Sequence, residues 1–495
     1  MKPWARSAVA VAALVSGASC AGAPQSSDSE TRPGAAAAPE PSPSPSPTPD
    51  PALVAALDAA AQAAFTEAGI VGATVLVEDD GRRVLGKGYG FADREQGVAA
   101  GLDTSYAVAS ITKQFTAAAV LKLAEQGRLS LDDPLSRFMP ELGPRAEAIR
   151  VHHLLSHTSG LPQYAHFGQR GSPAGVHAEA PTALRVRAVR FPAGEKWDYN
   201  NAGFYVLGHV IEKASGQAFA DYLRGAIVEP AGLTATGYCE GGGAVPNRAQ
   251  DYEAGRRGAA PTAYWEHAGF FAAGGLCASA ADLLRWEHAL DEGRVLSAAS
   301  VARMRAPSLL ADGYPVDYGL GTRMGDLRGH RKLGHTGGGK SNRSVLAHYP
   351  ADGLTVIVLM NTERIGAKLV ATDIEARLAR LALGLGEAAP AAKPLPREAV
   401  GRYTGWYAGS TTWTVSGGAQ GLQAHGPRLG RARLLWEGGD LFLHADSPST
   451  EMRFAGEGAR AERLAVYDNG WFIGVRKRTE APPVRRKAPA RRRAR

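Results

Sequence analysis

Ser110 and Lys113 are the residues with the clearest chemical potential, because they form the chain's one Ser-x-x-Lys, Ser110-Ile111-Thr112-Lys113. Side chains three apart on a helix lie on one face, about one turn apart. A serine hydroxyl is a weak nucleophile at neutral pH and needs a partner that removes its proton. A lysine in a partly dry cleft has a lowered pKa, and its neutral amine can accept that proton. The spacing therefore indicates serine acyl transfer without a Ser-His-Asp triad. The alternative is a helix start with an exposed lysine one turn on.

Tyr199 and Asn201, in the tripeptide Tyr199-Asn200-Asn201, can serve the same site from 89 residues further along the chain. A tyrosine phenol beside a lysine ammonium has its pKa pulled below about 10 and can shuttle a proton to the leaving group. The amide of Asn201 can hold a substrate carbonyl and brace Lys113. Tyr-x-Asn also occurs at Tyr467-Asp468-Asn469, where a turn is the simpler interpretation, so this motif is weak by itself.

His335-Thr336-Gly337, followed by Gly338, is the third chemical motif. A strand edge with glycine lets a substrate backbone approach closely, and an unpaired N–H there can point at an oxyanion. His-x-Gly also occurs at 166–168 and 267–269, but only His335 lies just upstream of a strong hairpin signal at 350–353. We therefore expect His335 on an edge strand of the closing sheet.

Helix and strand signals predict how these residues are held. Caps, periodicity and turn residues predict helices at 50–68, 110–125, 202–215 and 280–292, and hairpins at 73–90 and 344–360. Strands thus open and close the region 51–385 while helices fill its middle, which indicates an α+β or α/β sandwich. After a Pro/Ala-rich linker at 386–398, residues 399–480 form short aromatic-rich segments between glycine turns. That pattern is typical of a small antiparallel β domain, with a barrel as one form of it.

In this order, the three motifs resemble those of the serine β-lactamase and penicillin-binding-protein superfamily. The most similar branch contains class C β-lactamases, D-alanyl-D-alanine carboxypeptidases and serine esterases. The resemblance spans about Leu53 to Leu385 and includes Leu154–Leu161, Phe191–Gly194 and Ala273–Leu276. It implies a β-lactamase/transpeptidase-like α/β (α+β) sandwich with an all-helical subdomain, and it implies no metal or organic cofactor.

The resemblance also implies a role for each motif residue. The predicted catalytic residues are Ser110, the acylated nucleophile, Lys113, its partner, and Tyr199, the general base and acid. The predicted substrate-binding residues are Asn201, His335, Thr336 and Gly337. The predicted oxyanion hole consists of the backbone N–H groups of Ser110 and Gly338.

His335 departs from the commonest form of the third motif. β-Lactamases of the superfamily mostly have Lys-Thr-Gly there, whose fixed positive charge attracts a substrate carboxylate. A histidine is charged only below about pH 6.5 unless its surroundings raise its pKa. His-Thr-Gly therefore favours a D,D-peptidase or another peptide or ester hydrolase over a β-lactamase.

The two ends of the chain indicate export and contact with an anionic surface. Residues 1–20 combine a basic start, a short apolar stretch and small residues before Cys20, which resembles a bacterial lipoprotein signal. Gly17 stands where a large aliphatic residue is usual, so simple secretion or an uncleaved anchor stays open as an alternative. Residues 21–50 are rich in Pro, Ser and Ala and predict a disordered spacer. The basic tail at 481–495 carries most of the formal net charge of +8 and is also predicted to be disordered. It either contacts an anionic partner or is a solubilising tail with no dedicated partner.

Cys239 and Cys277 remain as a pair once Cys20 is assigned to lipid, since the chain has three cysteines. Outside the cytosol such a pair is free to form a disulfide. The alternative is that both are small buried hydrophobic residues.

These observations predict an exported, monomeric serine hydrolase of the cell envelope. A D,D-peptidase-like activity is the first interpretation, with β-lactamase or carboxylesterase activity as the alternatives. The expected partners are a small-molecule or peptide substrate and an anionic membrane or wall polymer at the basic tail, with no specific nucleic acid. The alternative of another class is a catalytically silent binding or sensing protein of the envelope.

Overall fold

The computed structural model describes residues 49–163, 188–239, 245–255, 258–262, 270–339, 341–363, 371–386, 392–418, 421–426 and 430–480. The predicted export signal with Cys20, nearly all of the 21–50 spacer, part of the 386–398 linker and the basic tail lie outside these ranges. The extents predicted for those four segments therefore stay predictions.

Helices and strands alternate along the chain in unequal blocks. The α-helices are α1 Pro51–Ala68, α2 Thr112–Glu125, α3 Arg145–Ala148, α4 Val151–Leu155, α5 Asn201–Ser215, α6 Phe219–Leu223, α7 Ala280–Asp291, α8 Ala298–Met304, α9 Ala371–Ala382 and α10 Val400–Tyr403. The strands of the first part are β1 Gly72–Asp79, β2 Arg82–Asp93, β3 Val98–Ala99, β4 Ser105–Ala107, β5 Gly237–Tyr238, β6 Tyr252–Gly255, β7 Gly258–Pro261 and β8 Leu276–Ser279. The next are β9 Ser308–Leu309, β10 Pro315–Val316, β11 Arg323–Leu327, β12 His330–Gly338, β13 Arg343–Tyr349, β14 Leu354–Met360 and β15 Thr362–Glu363. The last are β16 Gly405–Ala408, β17 Thr412–Gly418, β18 Gly421–Gly426, β19 Gly430–Gly438, β20 Leu441–His444, β21 Ser447–Ala455, β22 Arg463–Asp468 and β23 Trp471–Thr479.

Local signals account for the element boundaries. Asp50 caps α1 by accepting a hydrogen bond from the Ala52 N–H at 2.9 Å, and Pro51 takes the first helical position. Gly69 ends the helix at φ 64°, a left-handed conformation that glycine adopts without strain. The predicted helices and hairpins are confirmed to within one or two residues at most ends. Within the described ranges, no helix is both long and apolar enough to cross a bilayer.

The central sheet is antiparallel and runs in the order β11-β12-β13-β14-β1-β2-β3. Pairing of β1 with β14, from Ala73 opposite Met360 to Asp79 opposite Leu354, joins the two ends of the region 51–385, as the sequence predicts. One face packs on α1 and α9, and the other packs on the mainly helical middle segment that contains α2, α5 and α7. Because both faces of the sheet are covered, β1 and β14 are nearly continuous apolar runs.

Strands β16 to β23 form an up-and-down antiparallel barrel that closes where β16 pairs with β23. Its interior is aromatic, with buried Tyr403, Tyr407, Phe442 and Phe454 in mutual contact. Closure leaves the small domain without a free sheet edge. The ladder continues into the central sheet through one residue pair, Gly325 opposite Trp471.

Candidate active site

Ser110 lies at the turn between β4 and α2. A 3₁₀ turn, Ala109–Ile111, precedes the α-helix, so the predicted helix start is tighter than a regular α-helix. Ala109 has φ 46°, a left-handed conformation that costs energy in a residue with a side chain. This turn leaves Ser110 half-buried at the surface of the site while Lys113, three residues on, is fully buried.

Lys113 is the polar centre of the site. Its Nζ donates to Ser110 Oγ at 3.1 Å, to Asn201 Oδ1 at 2.8 Å and to the Ala273 carbonyl at 2.6 Å. These contacts use all three hydrogens of an ammonium group. Burial lowers the pKa of Lys113 because it penalises the charged form, and Arg323 adds to this lowering while Tyr199 opposes it. The lowered pKa increases the population of the neutral amine, which can accept the Ser110 proton.

Tyr199 faces Lys113 from the loop before α5. Its ring centroid lies 5.0 Å from Lys113 Nζ. Asn200 caps α5 by accepting a hydrogen bond from the Gly203 N–H at 3.2 Å, and Asn201 is the first residue of the helix. The helix start therefore fixes Tyr199 and Asn201 together, one on each side of the cap.

The third motif ends β12 next to the segment that precedes Ser110. A Cβ on Gly337 would lie 2.1 Å from the Val108 carbonyl oxygen, so only glycine allows this approach. The Ser344 hydroxyl donates to the same carbonyl at 2.8 Å and ties β13 to the turn. β12 pairs with β11 only up to Gly334, and beyond it the ladder of this strand continues with β13 alone. The predicted edge is thus local: it is the end of an otherwise internal strand, with Gly338 opposite Arg343.

His335 itself is fully buried, and both ring nitrogens contact protein groups. Its Nδ1 lies 2.7 Å from the Thr336 carbonyl, which can only accept, so Nδ1 carries the hydrogen. Its Nε2 therefore accepts from the Tyr318 hydroxyl at 3.0 Å. With both nitrogens occupied, the ring has no polar atom left for a substrate, so direct substrate binding by His335 does not fit this arrangement.

Tyr318 extends this hydrogen-bond chain to His157. The Asn200 N–H donates to His157 Nδ1 at 3.0 Å, which places the ring hydrogen on Nε2, 3.0 Å from the Tyr318 hydroxyl. The chain therefore runs in one direction from Asn200 through His157 and Tyr318 to His335. Tyr199 packs against it, with ring centroids 4.3 Å from His157 and 6.2 Å from His335. The sequence motifs gave neither His157 nor Tyr318 a role in the site, because their link depends on folding.

Burial lowers the pKa of both histidines well below the usual value, and the nearby cations Lys113 and Arg323 lower it further. The sequence left open whether the surroundings of His335 raise its pKa; in the folded protein they lower it. Burial also raises the pKa of Tyr318 well above its usual value, with Tyr199 contributing. The hydrogen-bond chain thus consists of neutral groups, with each histidine in one tautomer. It does not supply the positive charge of the site.

We expect the free energy of unfolding to fall as pH drops below about 6.5. A histidine with a lowered folded-state pKa binds more protons when unfolded, so its stabilising contribution is complete above the unfolded pKa and decreases toward the folded one. The loss is up to about 1.4 kcal/mol per pH unit for each such histidine. Urea unfolding across this window should show a shallower slope for His335→Gln than for wild type. The exposed barrel residue His425, changed to Gln, is the control, and equal slopes in all three proteins would contradict the expectation.

Arg323, on β11, is a functional candidate that the sequence did not single out. Its guanidinium lies 5.4 Å from the Tyr199 ring centroid. Its Nε is buried and has no hydrogen-bond partner among the described residues. Arg323 lies opposite Gly334, one residue before His335. A prediction that β11 pairs with β12 would therefore have placed Arg323 near the site. A half-buried cation whose Nε donor is unused among the described residues is suited to an anionic group beside the site.

Cys239 and Cys277 are disulfide-bonded in the structure. Cys277 lies on β8, which pairs with β4 just before the Ser110 turn. Ala273, whose carbonyl accepts from Lys113, precedes the same strand. The bond therefore joins Cys239 to the strand that flanks the Ser110 turn. In the described ranges, no three or more His, Cys, Asp or Glu side chains are grouped so as to hold a metal ion.

One family model and several known proteins match this chain. The family model described as Beta-lactamase matches residues 54–381. A D-aminopeptidase of Brucella ovis is 29% identical over 342 residues, which is 68% of this chain and 62% of that protein. The chain thus spans less than two thirds of the length of that relative.

Two solved structures show the same fold. The octameric penicillin-binding protein homologue from Pyrococcus abyssi has a TM-score of 0.60 at 24% identity and covers 85% of this chain and 99% of its own. The D-stereospecific amidohydrolase from Streptomyces sp. has a TM-score of 0.53 at 28% identity, over 63% of this chain and 94% of its own. The family model covers more than half of the chain and includes Ser110, Lys113, Tyr199 and His335, so this chain belongs to the beta-lactamase family and is a serine hydrolase.

Proposed function

We propose that this protein is an exported hydrolase of peptides or amides that contain D-residues, acting through an acyl-enzyme on Ser110. The contact that carries the proposal is Lys113 Nζ, held between Ser110 Oγ and Asn201 Oδ1 at 3.1 and 2.8 Å. Preference for D-residues is supported by the similarity to a D-aminopeptidase and to a D-stereospecific amidohydrolase.

In the proposed reaction, neutral Lys113 accepts the Ser110 proton as Oγ attacks the substrate carbonyl. The tetrahedral oxyanion is stabilised by backbone N–H groups, for which Ser110 and Gly338 are the candidates. Tyr199 donates its proton to the leaving amine and regains one from Lys113, so the proton released by Ser110 leaves with the amine. Water then attacks the acyl-enzyme with the same pair acting in reverse, which releases the acid and restores Ser110.

Arg323 is proposed to bind a substrate carboxylate, since neutral His335 cannot supply the charge. Arg323→Gln is expected to raise KM about 10- to 100-fold for peptides with a free C-terminal carboxylate, because a hydrogen bond to a charged group is lost. KM for neutral esters should change little. Arg331→Gln, at an exposed arginine of β12, is the matched control. An equal loss on both substrate types would mean that Arg323 only orders Tyr199.

A stereochemical substrate panel tests the function itself. The panel contains D-Ala-D-Ala peptides, D- and L-amino acid amides, nitrocefin and short p-nitrophenyl esters. Cleavage of D-peptides or D-amides, but not of their L-forms, by wild type and not by Ser110→Ala supports the proposal. Turnover of nitrocefin alone or of esters alone would assign β-lactamase or esterase activity instead. Failure of every acylating probe to label the protein would favour a silent binding or sensing protein.

Export is proposed from the first twenty residues and from the Cys239–Cys277 pair, since disulfides persist in oxidising compartments. Lipidation of Cys20 would hold the catalytic domain at the membrane on the Pro-rich spacer, and the basic tail would contact anionic lipid or wall polymer. Cell fractionation of wild type and Cys20→Ser, with palmitate labelling, tests this. Retention of both proteins in the cytosol would refute export.

A further inference from the structure

The loop that carries Tyr199 rests on residues of the barrel. One buried hydrophobic cluster, here called the buttress, joins the two parts of the protein. Its members from the catalytic region are Trp197, Leu310, Val316 and Tyr318, and those from the barrel are Ala465, Tyr467, Phe472 and Val475. Tyr199 is half-buried and packs against this cluster. Half of the buried members of the buttress therefore come from strands β22 and β23.

Trp197 is the ring through which the barrel contacts the active-site residues. Its centroid lies 4.9 Å from that of Phe472. Its centroid also lies 6.0 Å from that of His157, 5.8 Å from that of Tyr318 and 6.4 Å from that of Tyr199. Because packed aromatic rings transmit displacement rather than absorb it, the position of Phe472 constrains the rings that surround Tyr199.

A hydrogen bond fixes the second route from the barrel to the site. The Tyr467 hydroxyl donates to Asp317 Oδ2 at 2.6 Å, next to Tyr318 of the hydrogen-bond chain. Arg463 pairs with Asp312 at the other end of the same loop. The segment 312–317, which leads directly to Tyr318, is thus held by the barrel at both ends.

The turn of the β22–β23 hairpin is anchored deep in the catalytic region. Buried Lys332, on β12, donates to the Asn469 carbonyl at 2.8 Å and to Glu375 Oε2 at 2.9 Å. The Trp471 indole N–H donates to the same Glu375 oxygen at 3.0 Å. Because these polar groups are buried, separation of the hairpin would leave Lys332 and Glu375 each without one buried hydrogen-bond partner, which opposes its movement.

We propose that the β22–β23 hairpin of the barrel is a positioning element of the active site, with Phe472 holding Tyr199 in register through Trp197. The inference rests on the proposed function only in that Tyr199 shuttles the proton. A displacement of about 1 Å of a catalytic group can cost about 100-fold in rate. The barrel then positions a catalytic residue and is not merely an appended domain.

Phe472→Ala tests this role, with Phe472→Leu as the conservative variant that refills the space. The expected result is a fall of about 10- to 100-fold in the rate at which a fluorophosphonate acylates Ser110, largely restored by Leu. With a small ester substrate, kcat should fall while KM stays within about twofold. Phe454→Ala is the matched control, because Phe454 is equally buried but lies in the barrel interior, packed on Tyr403 and Phe442. It should lower the melting temperature without slowing acylation.

Nitrogen NMR of the histidine rings provides a readout that does not depend on activity. Wild type should show His157 protonated only on Nε2 and His335 only on Nδ1, because burial lowers the pKa of both rings and keeps them neutral. In Phe472→Ala the His157 tautomer should mix or its pKa should rise, whereas Phe454→Ala should leave both rings unchanged. Unchanged rings and acylation in Phe472→Ala, or equal losses in both alanine variants, would overturn the inference. An unreactive wild type with the expected ring response would refute the proposed function and leave the positioning role standing.

Discussion

Ser110→Ala is expected to abolish covalent labelling by fluorophosphonates and penicillins and to lower turnover by about 10⁴- to 10⁶-fold, because removal of the nucleophile removes the acyl-enzyme route entirely. The measurement is a single-turnover assay together with mass analysis of the labelled peptide. Stability should change little, since Ser110 is half-buried and its hydroxyl makes one contact with Lys113 in the described region.

His335→Ala and Ser159→Ala rank this result against other mechanisms. His335→Ala should lower turnover less than Ser110→Ala, because the His335 ring contacts other protein groups and not the substrate; equal losses would contradict that ranking.

Ser159→Ala should retain activity. Both nitrogens of neighbouring His157 contact Asn200 and Tyr318, and the Ser159 hydroxyl accepts from the Leu161 N–H at 3.3 Å. Loss of labelling in Ser159→Ala would instead indicate a Ser-His pair.

Lys113→Met should lower kcat/KM by about 10²- to 10⁴-fold, the usual contribution of a general base, while slow labelling of Ser110 persists. Methionine fills nearly the same volume, but the acceptors Asn201 Oδ1 and Ala273 O lose their donor, which costs stability. Removal of a buried cation offsets part of that cost. The melting temperature should therefore change far less than the rate, as calorimetry and stopped-flow acylation would show.

Lys122→Met is the matched control for this change. Lys122 lies on the same helix, and its Nζ donates to the Val295 carbonyl at 2.8 Å, away from Ser110. Its substitution should leave acylation unchanged. If Lys113→Met retained wild-type acylation, Tyr199 would have to act without the lysine, and the pair would not share the proton.

Local sequence determined the parts of this protein whose energetics are local. Asp50, Pro51 and Gly69 bound α1 because a helix cap and a left-handed stop depend on neighbouring residues alone. The same holds for the hairpin at Asp80-Gly81, whose turn joins β1 to β2 as predicted. Spacing also placed Ser110 and Lys113 one turn apart, and this spacing is what indicated serine acyl transfer.

Tertiary structure decided everything that depends on burial and on contacts between distant segments. The direction of the Lys113 pKa shift follows from desolvation, and its partner Asn201 is brought from 88 residues away. His335 could be assigned to a strand but not to a neutral, fully engaged tautomer, because that state requires Tyr318 and burial. The support of Tyr199 by barrel residue Phe472 has no local signal, since the hydrophobic pattern of a strand shows that a residue is buried but not against what.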